Sequence, residues 1–130
     1  MLMVSPQNAL AQHEVVPISE IAKQPLLLPN TGFSRRVMDK LFRPYAGKLQ
    51  VRMELPSVGM IKSFVAAGLG VSLISASFAR DQVLAGRVKL IPIKDEELWR
   101  ELGLAYRRDR TLTRATTTFI STVRQLAASK

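Results

Sequence analysis

The chain has 130 residues, 47% of them hydrophobic and 22% charged, which suits one compact domain and excludes a disordered chain. It has no cysteine and a single histidine, His13, which excludes disulfides and cysteine nucleophiles and argues against a zinc site. The net charge of +9 would suit nucleic acid, but the basic residues are scattered between positions 23 and 130. A solvated basic face is therefore favoured over a nucleic-acid patch, and attraction of a small anionic ligand is a third reading.

The first part of the chain alternates between strand and helix patterns. Ser19 can cap a short helix over 20–23, and prolines bound an apolar run at Pro25–Pro29 that should be a short strand buried on both faces. Alternating residues over 49–55 predict a strand with one wet face near a sheet edge. In chain order the predicted elements are a strand at 2–4, a helix at 20–23, a strand at 25–29, a turn at 30–32, a helix from 33 or 34 to 45, and a strand at 49–55.

The remainder repeats that alternation. Ser57 caps a helix that runs to Ala67, and Gly68 suits the residue after its end because glycine reaches the left-handed conformation without strain. Thr113 caps a last helix to about Ala128, which should be buried through Ala115, Phe119, Ile120, Val123 and Leu126. The other predicted elements are strands at 71–74, 88–91 and 98–106 and a helix at 77–84 that ends at Gly86. This order predicts an α/β fold with a largely parallel sheet.

Signatures of enzymes and cofactor sites are missing from the sequence. There is no G-x-S-x-G, no P-loop and no second histidine to pair with a serine. Gly68 and Gly70 lack the third glycine of a dinucleotide fingerprint and precede a strand, so we interpret them as a tight turn. Asp95, Glu96 and Glu97 fit a solvated loop. We expect no catalytic residues, no metal and no cofactor.

Three strand-to-helix junctions form the best candidate ligand site. In a parallel sheet such junctions share the edge at the carboxyl ends of the strands, where ligands bind in open α/β folds. Helix N-termini there offer N–H groups to a carboxylate, sulfate or phosphate. Any one of Ser19, Ser57 and Ser77 is more simply a helix cap, and only the convergence of three junctions favours a site. The residues predicted to contact the ligand are Asn30, Thr31, Gly32, Pro56, Ser57, Ser75 and Ser77.

Four segments resemble the effector-binding domains of LysR-type transcriptional regulators. Residues 64–75 (FVAAGLGVSLIS) resemble a signature of these domains, and residues 18–28 (ISEIAKQPLLL) resemble the opening of their second lobe. Residues 33–42 (FSRRVMDKLF) resemble the helix that follows. Residues 100–108 (RELGLAYRR), with 112–115 (LTRA) and Phe119-Ile120, resemble the closing strand and helix. The chain departs from the pattern in two places: Asn8 and Ala9 stand where the family often has His-Pro, and Ser75 stands where it often has proline.

The resemblance implies a two-lobed fold like that of periplasmic binding proteins, joined in the family to a DNA-binding helix-turn-helix that we expect to be missing from this chain. Residues 1–74 would be the second lobe and 75–130 the returning part of an incomplete first lobe. Leu102, Leu104 and Tyr106, with apolar residues of the last helix, would then lack the sheet they cover in the family. We expect the C-terminal third to dock on the second lobe, to pair with another chain, or to be loose.

The predicted function is non-catalytic sensing of a small, anionic effector by a cytoplasmic homo-oligomer, with DNA bound only through a separate domain. No apolar run approaches the ~20 residues that span a bilayer, and residues 1–14 lack the basic start and long apolar middle of a signal peptide, so we expect no membrane partner. The main alternative is a truncated regulator that pairs with other regulator chains as an interaction module. A nucleic-acid-binding protein rests on the charge alone.

Overall fold

The structure, a computed structural model, describes residues 1–94, 103–107 and 109–128. It divides the chain into two compact units, Met1–Leu98 and Trp99–Lys130. The assignment of residues 1–74 and 75–130 to two lobes stays a prediction.

Among the described residues of the first unit, five strands form two sets that an isolated bridge joins into one sheet. They are β1 (Leu2–Val4), β2 (Pro25–Pro29), β3 (Gln50–Leu55), β4 (Ser72–Leu73) and β5 (Lys89–Ile91). β1 pairs with both β4 and β5, β2 pairs with β3, and Leu26 and Val71 form a bridge that joins the two sets. Two hydrogen bonds support that bridge, from Leu27 N to Val71 O and from Val71 N to Pro25 O, each 2.9 Å.

Four of the five strands run in the same direction. β2 is parallel to β3 and, through the Leu26–Val71 bridge, to the segment that leads into β4. β1 lies antiparallel to both of its neighbours, so β5 has the same direction as β4. The α/β class with a mostly parallel sheet is therefore confirmed, with β1 as the reversed strand among those described.

The helices begin and end close to the predicted positions. They are α1 (Ile18–Ile21), α2 (Gly32–Phe42), α3 (Val58–Ala66), α4 (Ala76–Leu84) and α5 (Arg114–Ala128), with 3-10 helices at Ala9–Gln12 and Arg43–Lys48. Gly68 and Gly86 follow α3 and α4 with positive φ values of 75° and 66°, as their predicted roles as helix terminators require.

The core of the first unit lies on both faces of the sheet. Leu26 and Leu28 pack on one face with Met38 and Phe42 of α2. Leu27, between them in sequence, points to the other face and packs with Ile61 and other residues of α3 and α4. All three leucines are buried, which confirms that β2 is a strand covered on both sides.

The prediction that residues 49–55 form a strand with one solvent-exposed face is wrong in one respect. Val51 and Met53 are the register partners of the consecutive residues Leu26 and Leu27, so Arg52 lies in a β-bulge. Simple alternation would place Leu49 and Met53 on the same face of the strand, but the extra residue in the bulge places them on opposite faces. Leu49 packs against the cluster of Leu26, whereas Met53 packs against that of Leu27. Val51 is 44% exposed. β3 does lie at an edge of the described sheet.

The predicted cap at Ser19 is also wrong. Residue 19 lies inside α1, whose N-cap is Pro17 and which has no side-chain cap. Ile18 is the first residue of the helix and packs against the core, so the helix begins before residue 19. The helix predicted to reach Tyr45 ends as an α-helix at Phe42 and continues as a 3-10 helix through Pro44, whose ring disfavours regular α-helical hydrogen bonding.

The second unit contains α5. Thr113 caps it as predicted, since its Oγ1 accepts a hydrogen bond from Thr116 N at 3.2 Å. The predicted burial of its apolar stripe is wrong: Ile120 and Val123 are half-buried, and Ala115, Phe119 and Leu126 are exposed. Residues 103–107 form no strand, and the rest of the strand predicted at 98–106 lies outside the described residues.

No helix in the described ranges is long and apolar enough to cross a bilayer.

Candidate functional site

The three predicted junctions lie at one edge of the sheet. β3, β2 and β4 are neighbours that run in the same direction, so their carboxyl ends meet at the same edge. Pro29 pairs with Leu55, and Asn30 N donates a hydrogen bond to Leu55 O at 3.0 Å, which brings the first two junctions side by side. Ser75 and Asn30 each follow the Leu26–Val71 bridge by four residues and so are level along the strands.

The junction between β2 and α2 is built from Asn30, Thr31 and Gly32. All three are exposed, and Thr31 is the N-cap of α2 without a side-chain hydrogen bond to the helix. Its Oγ1 instead lies 3.4 Å from Asn30 Oδ1. Gly32 has a φ of 94°, a conformation that side chains rarely adopt, so glycine is needed for this entry into the helix.

The junction between β3 and α3 has its hydroxyl in use as a cap. Ser57 Oγ accepts a hydrogen bond from Met60 N at 3.2 Å, which confirms the predicted cap. Pro56 and Ser57 are both exposed. The cap satisfies one of the N–H groups that a helix start leaves unpaired and holds this junction in shape.

The junction between β4 and α4 pairs its two hydroxyls with each other. Ser75 is the N-cap of α4, without a side-chain cap, and Ser77 lies inside the helix. The two Oγ atoms are 3.1 Å apart, and both residues are exposed. The reading of Ser77 as the cap is therefore wrong because α4 begins one residue earlier than predicted.

Arg35 is a residue of this edge that the sequence reasoning missed. Its Nε lies 2.8 Å from Asp39 Oδ1, and its NH1 lies 2.8 Å from Glu54 Oε1 and donates to Pro29 O at 3.0 Å. The pKa of Arg35 is raised above its ordinary value, mainly by its hydrogen bond to Asp39 and also by that to Glu54. The Arg–Asp spacing of i, i+4 was the available signal, but the contacts with β2 and β3 depend on the fold.

A second ion pair connects the helices behind two of the junctions. Lys62 of α3 places its Nζ 3.1 Å from both carboxylate oxygens of Asp81 in α4. The hydrogen bond from Lys62 lowers the pKa of Asp81. This pair ties α3 to α4.

A cavity of about 360 Å³ lies along α4 and β5. It includes one predicted site residue, Ser77, and is otherwise mainly apolar; its lining residues are Ala76, Ser77, Arg80, Val83, Leu84 and Leu90. Within the described ranges, no group of three or more His, Cys, Asp or Glu side chains could hold a metal ion.

Comparison with known families identifies the fold. The family model of the LysR substrate binding domain matches residues 1–128. The chain belongs to this family. Proteins of known sequence agree: the RuBisCO operon transcriptional regulator of Acidithiobacillus ferrooxidans is 27% identical over 87% of this chain, and the HTH-type regulator YeiE of Escherichia coli is 28% identical over 92%. The chain spans 37% and 41% of the length of these two relatives.

Solved LysR-family structures share the fold of the chain. A putative LysR-family regulator of Pseudomonas aeruginosa superposes with a TM-score of 0.77 at 20% identity, covering 98% of this chain and 45% of that protein. The regulatory domain of Synechocystis CcmR in complex with 2-PG gives a TM-score of 0.75 at 19% identity, covering 96% and 61%. The effector-binding domain of QuiR with shikimate gives 0.71 at 18% identity, covering 92% and 56%. The periplasmic-binding-protein-like fold is thus confirmed, and the family model shows the substrate-binding class of the domain.

Proposed function

We propose that this LysR substrate-binding domain senses a small, anionic effector, without catalysis, at the edge where β2, β3 and β4 meet their helices. The observation that carries the proposal is the arrangement of three parallel neighbouring strands, each followed by a helix of nine or more residues. The residues proposed to contact the effector are Asn30, Thr31, Gly32, Pro56, Ser57, Ser75 and Ser77.

The chemistry of the edge supports an anionic ligand. Each helix start presents backbone N–H groups and the positive end of the helix dipole, and the three junctions add hydroxyl groups that can donate or accept. The similar regulatory domain of CcmR is known in complex with 2-PG, and that of QuiR in complex with shikimate. Both compounds are therefore rational members of a test panel.

The proposed mechanism is a shift in population. An effector that binds better to a closed arrangement of the domain favours that arrangement by its difference in affinity. In a cytoplasmic homo-oligomer, this change would alter the spacing of DNA-binding domains carried elsewhere in the regulator. The chain itself is proposed to reach DNA only in that way.

Isothermal titration with sulfate, small carboxylates, 2-PG and shikimate tests the proposal. We expect at least one compound to bind, and the double variant Thr31→Ala with Ser57→Ala to weaken that binding by tenfold or more, because two hydroxyl partners are lost. Undiminished binding in the double variant would exclude these two residues from the site.

A charge variant gives a sharper result because it preserves the cap. Ser57→Asp and Ser57→Asn both retain an oxygen that can accept from Met60 N, but only aspartate adds a negative charge at the edge. We expect Ser57→Asp to weaken binding of an anion far more than Ser57→Asn does.

Asn8→Asp is the matched control. Asn8 Oδ1 caps the 3-10 helix Ala9–Gln12 by accepting from Leu10 N at 2.9 Å. Asn8 follows β1, the reversed strand, and so belongs to the opposite edge of the sheet. Equal loss of binding in Asn8→Asp and Ser57→Asp would show a general charge effect and contradict the proposed location.

Pairing with other regulator chains is a second candidate function. Exposed apolar side chains of the second unit favour it, since Phe119 is 59% and Tyr106 is 52% exposed. Light scattering of the purified chain and co-expression with a tagged full-length relative would test it. We expect Phe119→Glu to abolish pairing, whereas Leu84→Glu, at an 80% exposed position of the first unit, should leave it intact.

A further inference from the structure

We propose that Arg35 is a positioning residue that holds the ends of β2 and β3 together and thereby fixes the placement of Asn30, Thr31 and Gly32. Its effect on ligand binding rests on the proposed function. We call the contacts of Arg35 with Pro29, Asp39 and Glu54 the clamp. The clamp does not rest on the proposed function, and its effect on the strand ends can be measured without any ligand.

The side chain of Arg35 connects three elements. It starts from the first turn of α2, reaches Pro29 O at the last residue of β2 (3.0 Å), and reaches Glu54 Oε1 near the end of β3 (2.8 Å). Its Nε is held by Asp39 one turn further along α2 at 2.8 Å. The planar guanidinium can serve all three acceptors at once because its donors point in fixed, divergent directions.

The charge balance distinguishes a clamp from an anion receptor. Arg35 is shared between two carboxylates, Asp39 and Glu54, so the three groups together carry one net negative charge. An anionic ligand would gain little from such a group. The backbone N–H groups at the helix starts therefore supply the attraction for an anionic ligand, and Arg35 fixes the positions of those groups.

The position of the clamp next to a backbone hydrogen bond supplies a reporter. Asn30 N donates to Leu55 O at 3.0 Å, directly after the two residues that Arg35 joins, Pro29 and Glu54. Leu27 N donates to Val71 O at 2.9 Å in the buried middle of β2 and reports on opening of the whole sheet. Loss of the clamp should open the first bond and not the second.

Amide hydrogen exchange of the full chain, read by NMR, tests this directly. We expect Arg35→Gln to speed exchange at Asn30 by about tenfold relative to its change at Leu27, since two interactions across the strand ends are lost. Arg35→Lys should give a smaller effect in the same direction, because an ammonium keeps the charge but not the fork. Glu54→Gln removes the negative charge that Arg35 contacts on β3 and leaves Arg35 itself in place, so it tests the same ion pair from the other partner.

Arg36→Gln is the matched control. Arg36 is the next residue of the same helix, is exposed, and forms no ion pair with any side chain of the described ranges. It should leave exchange at Asn30 unchanged. The clamp is refuted if Asn30 and Leu27 accelerate equally in Arg35→Gln, which indicates only global destabilisation, or if Asn30 does not respond.

Titration with sulfate, 2-PG and shikimate then separates this inference from the proposed function. If Arg35→Gln raises local exchange at Asn30 and also weakens anion binding, the clamp and the proposed ligand edge are both supported. If exchange rises while a bound anion is unaffected by Arg35→Gln and by Ser57→Asp, the clamp stands and the proposed ligand edge is wrong. If exchange is unchanged, the clamp is overturned whatever the titration gives.

Discussion

Two helices with similarly strong apolar stripes differ in burial. α2 in the first unit buries Met38 and Phe42, whereas α5 in the second unit, which is longer, buries none of its residues. Both patterns correctly predicted a helix. The difference teaches that periodicity specifies the local structure, while burial depends on which surface is available to cover the stripe.

The most severe test of this contrast replaces one phenylalanine in each unit. Phe42 is 2% exposed in the core cluster and Phe119 is 59% exposed, so Phe42→Ala should lower the free energy of unfolding by about 3–5 kcal/mol. Phe119→Ala should change it by less than about 0.5 kcal/mol. Urea unfolding followed by circular dichroism measures both, and equal losses would show that Phe119 is as tightly packed as Phe42.

A glycine in each unit gives the next largest difference. A Cβ at Gly70 would lie 2.5 Å from Pro25 O and 3.1 Å from Leu27 Cγ, while one at Gly103 meets nothing within 4 Å. Gly70→Ala should therefore destabilise the protein by roughly 1–3 kcal/mol through overpacking, and Gly103→Ala should be nearly neutral. Thermal unfolding compares the two. A neutral Gly70→Ala would mean that β2 and the turn before β4 do not approach so closely.

The helix caps offer a smaller and more closely matched comparison. Ser57 and Thr113 each accept a hydrogen bond of 3.2 Å from the N–H three residues later. Alanine at either position should cost the helix about 1 kcal/mol. Hydrogen exchange should show a loss at α3 for Ser57→Ala and at α5 for Thr113→Ala, with no change for Ser57→Asn. A loss that spreads over the whole chain would contradict separate responses.

The smallest expected effect depends on pH. Lys62 lowers the pKa of Asp81, so the charged form of Asp81 is favoured in the folded protein. A carboxylate with a lowered folded pKa stabilises the fold above its unfolded pKa of about 3.9, and that contribution disappears as the pH falls through the folded value. Asp81→Asn should therefore be slightly less stable than the native chain at pH 7 and equal to it at low pH. A difference that persists at low pH would point to lost packing.

Sequence reasoning recovered the candidate edge in part. The strand-to-helix order was enough to place Asn30, Ser57 and Ser75 on one edge, because adjacent parallel strands share their carboxyl ends. Arg35 was missed because its contacts with Pro29 and Glu54 join segments that only the pairing of β2 with β3 brings together. Whether the seven proposed residues bind an effector stays a prediction.

By itself, the sequence determined the elements, the α/β class and the family, because apolar periodicity, glycines at helix ends and caps such as Ser57 and Thr113 act over a few residues. Tertiary structure decided the reversed direction of β1 and the bulge at Arg52 that turns Val51 and Met53 to opposite faces. It also decided that α2 is buried and α5 is not. These outcomes depend on which distant backbone pairs with a segment, and no local pattern encodes that choice.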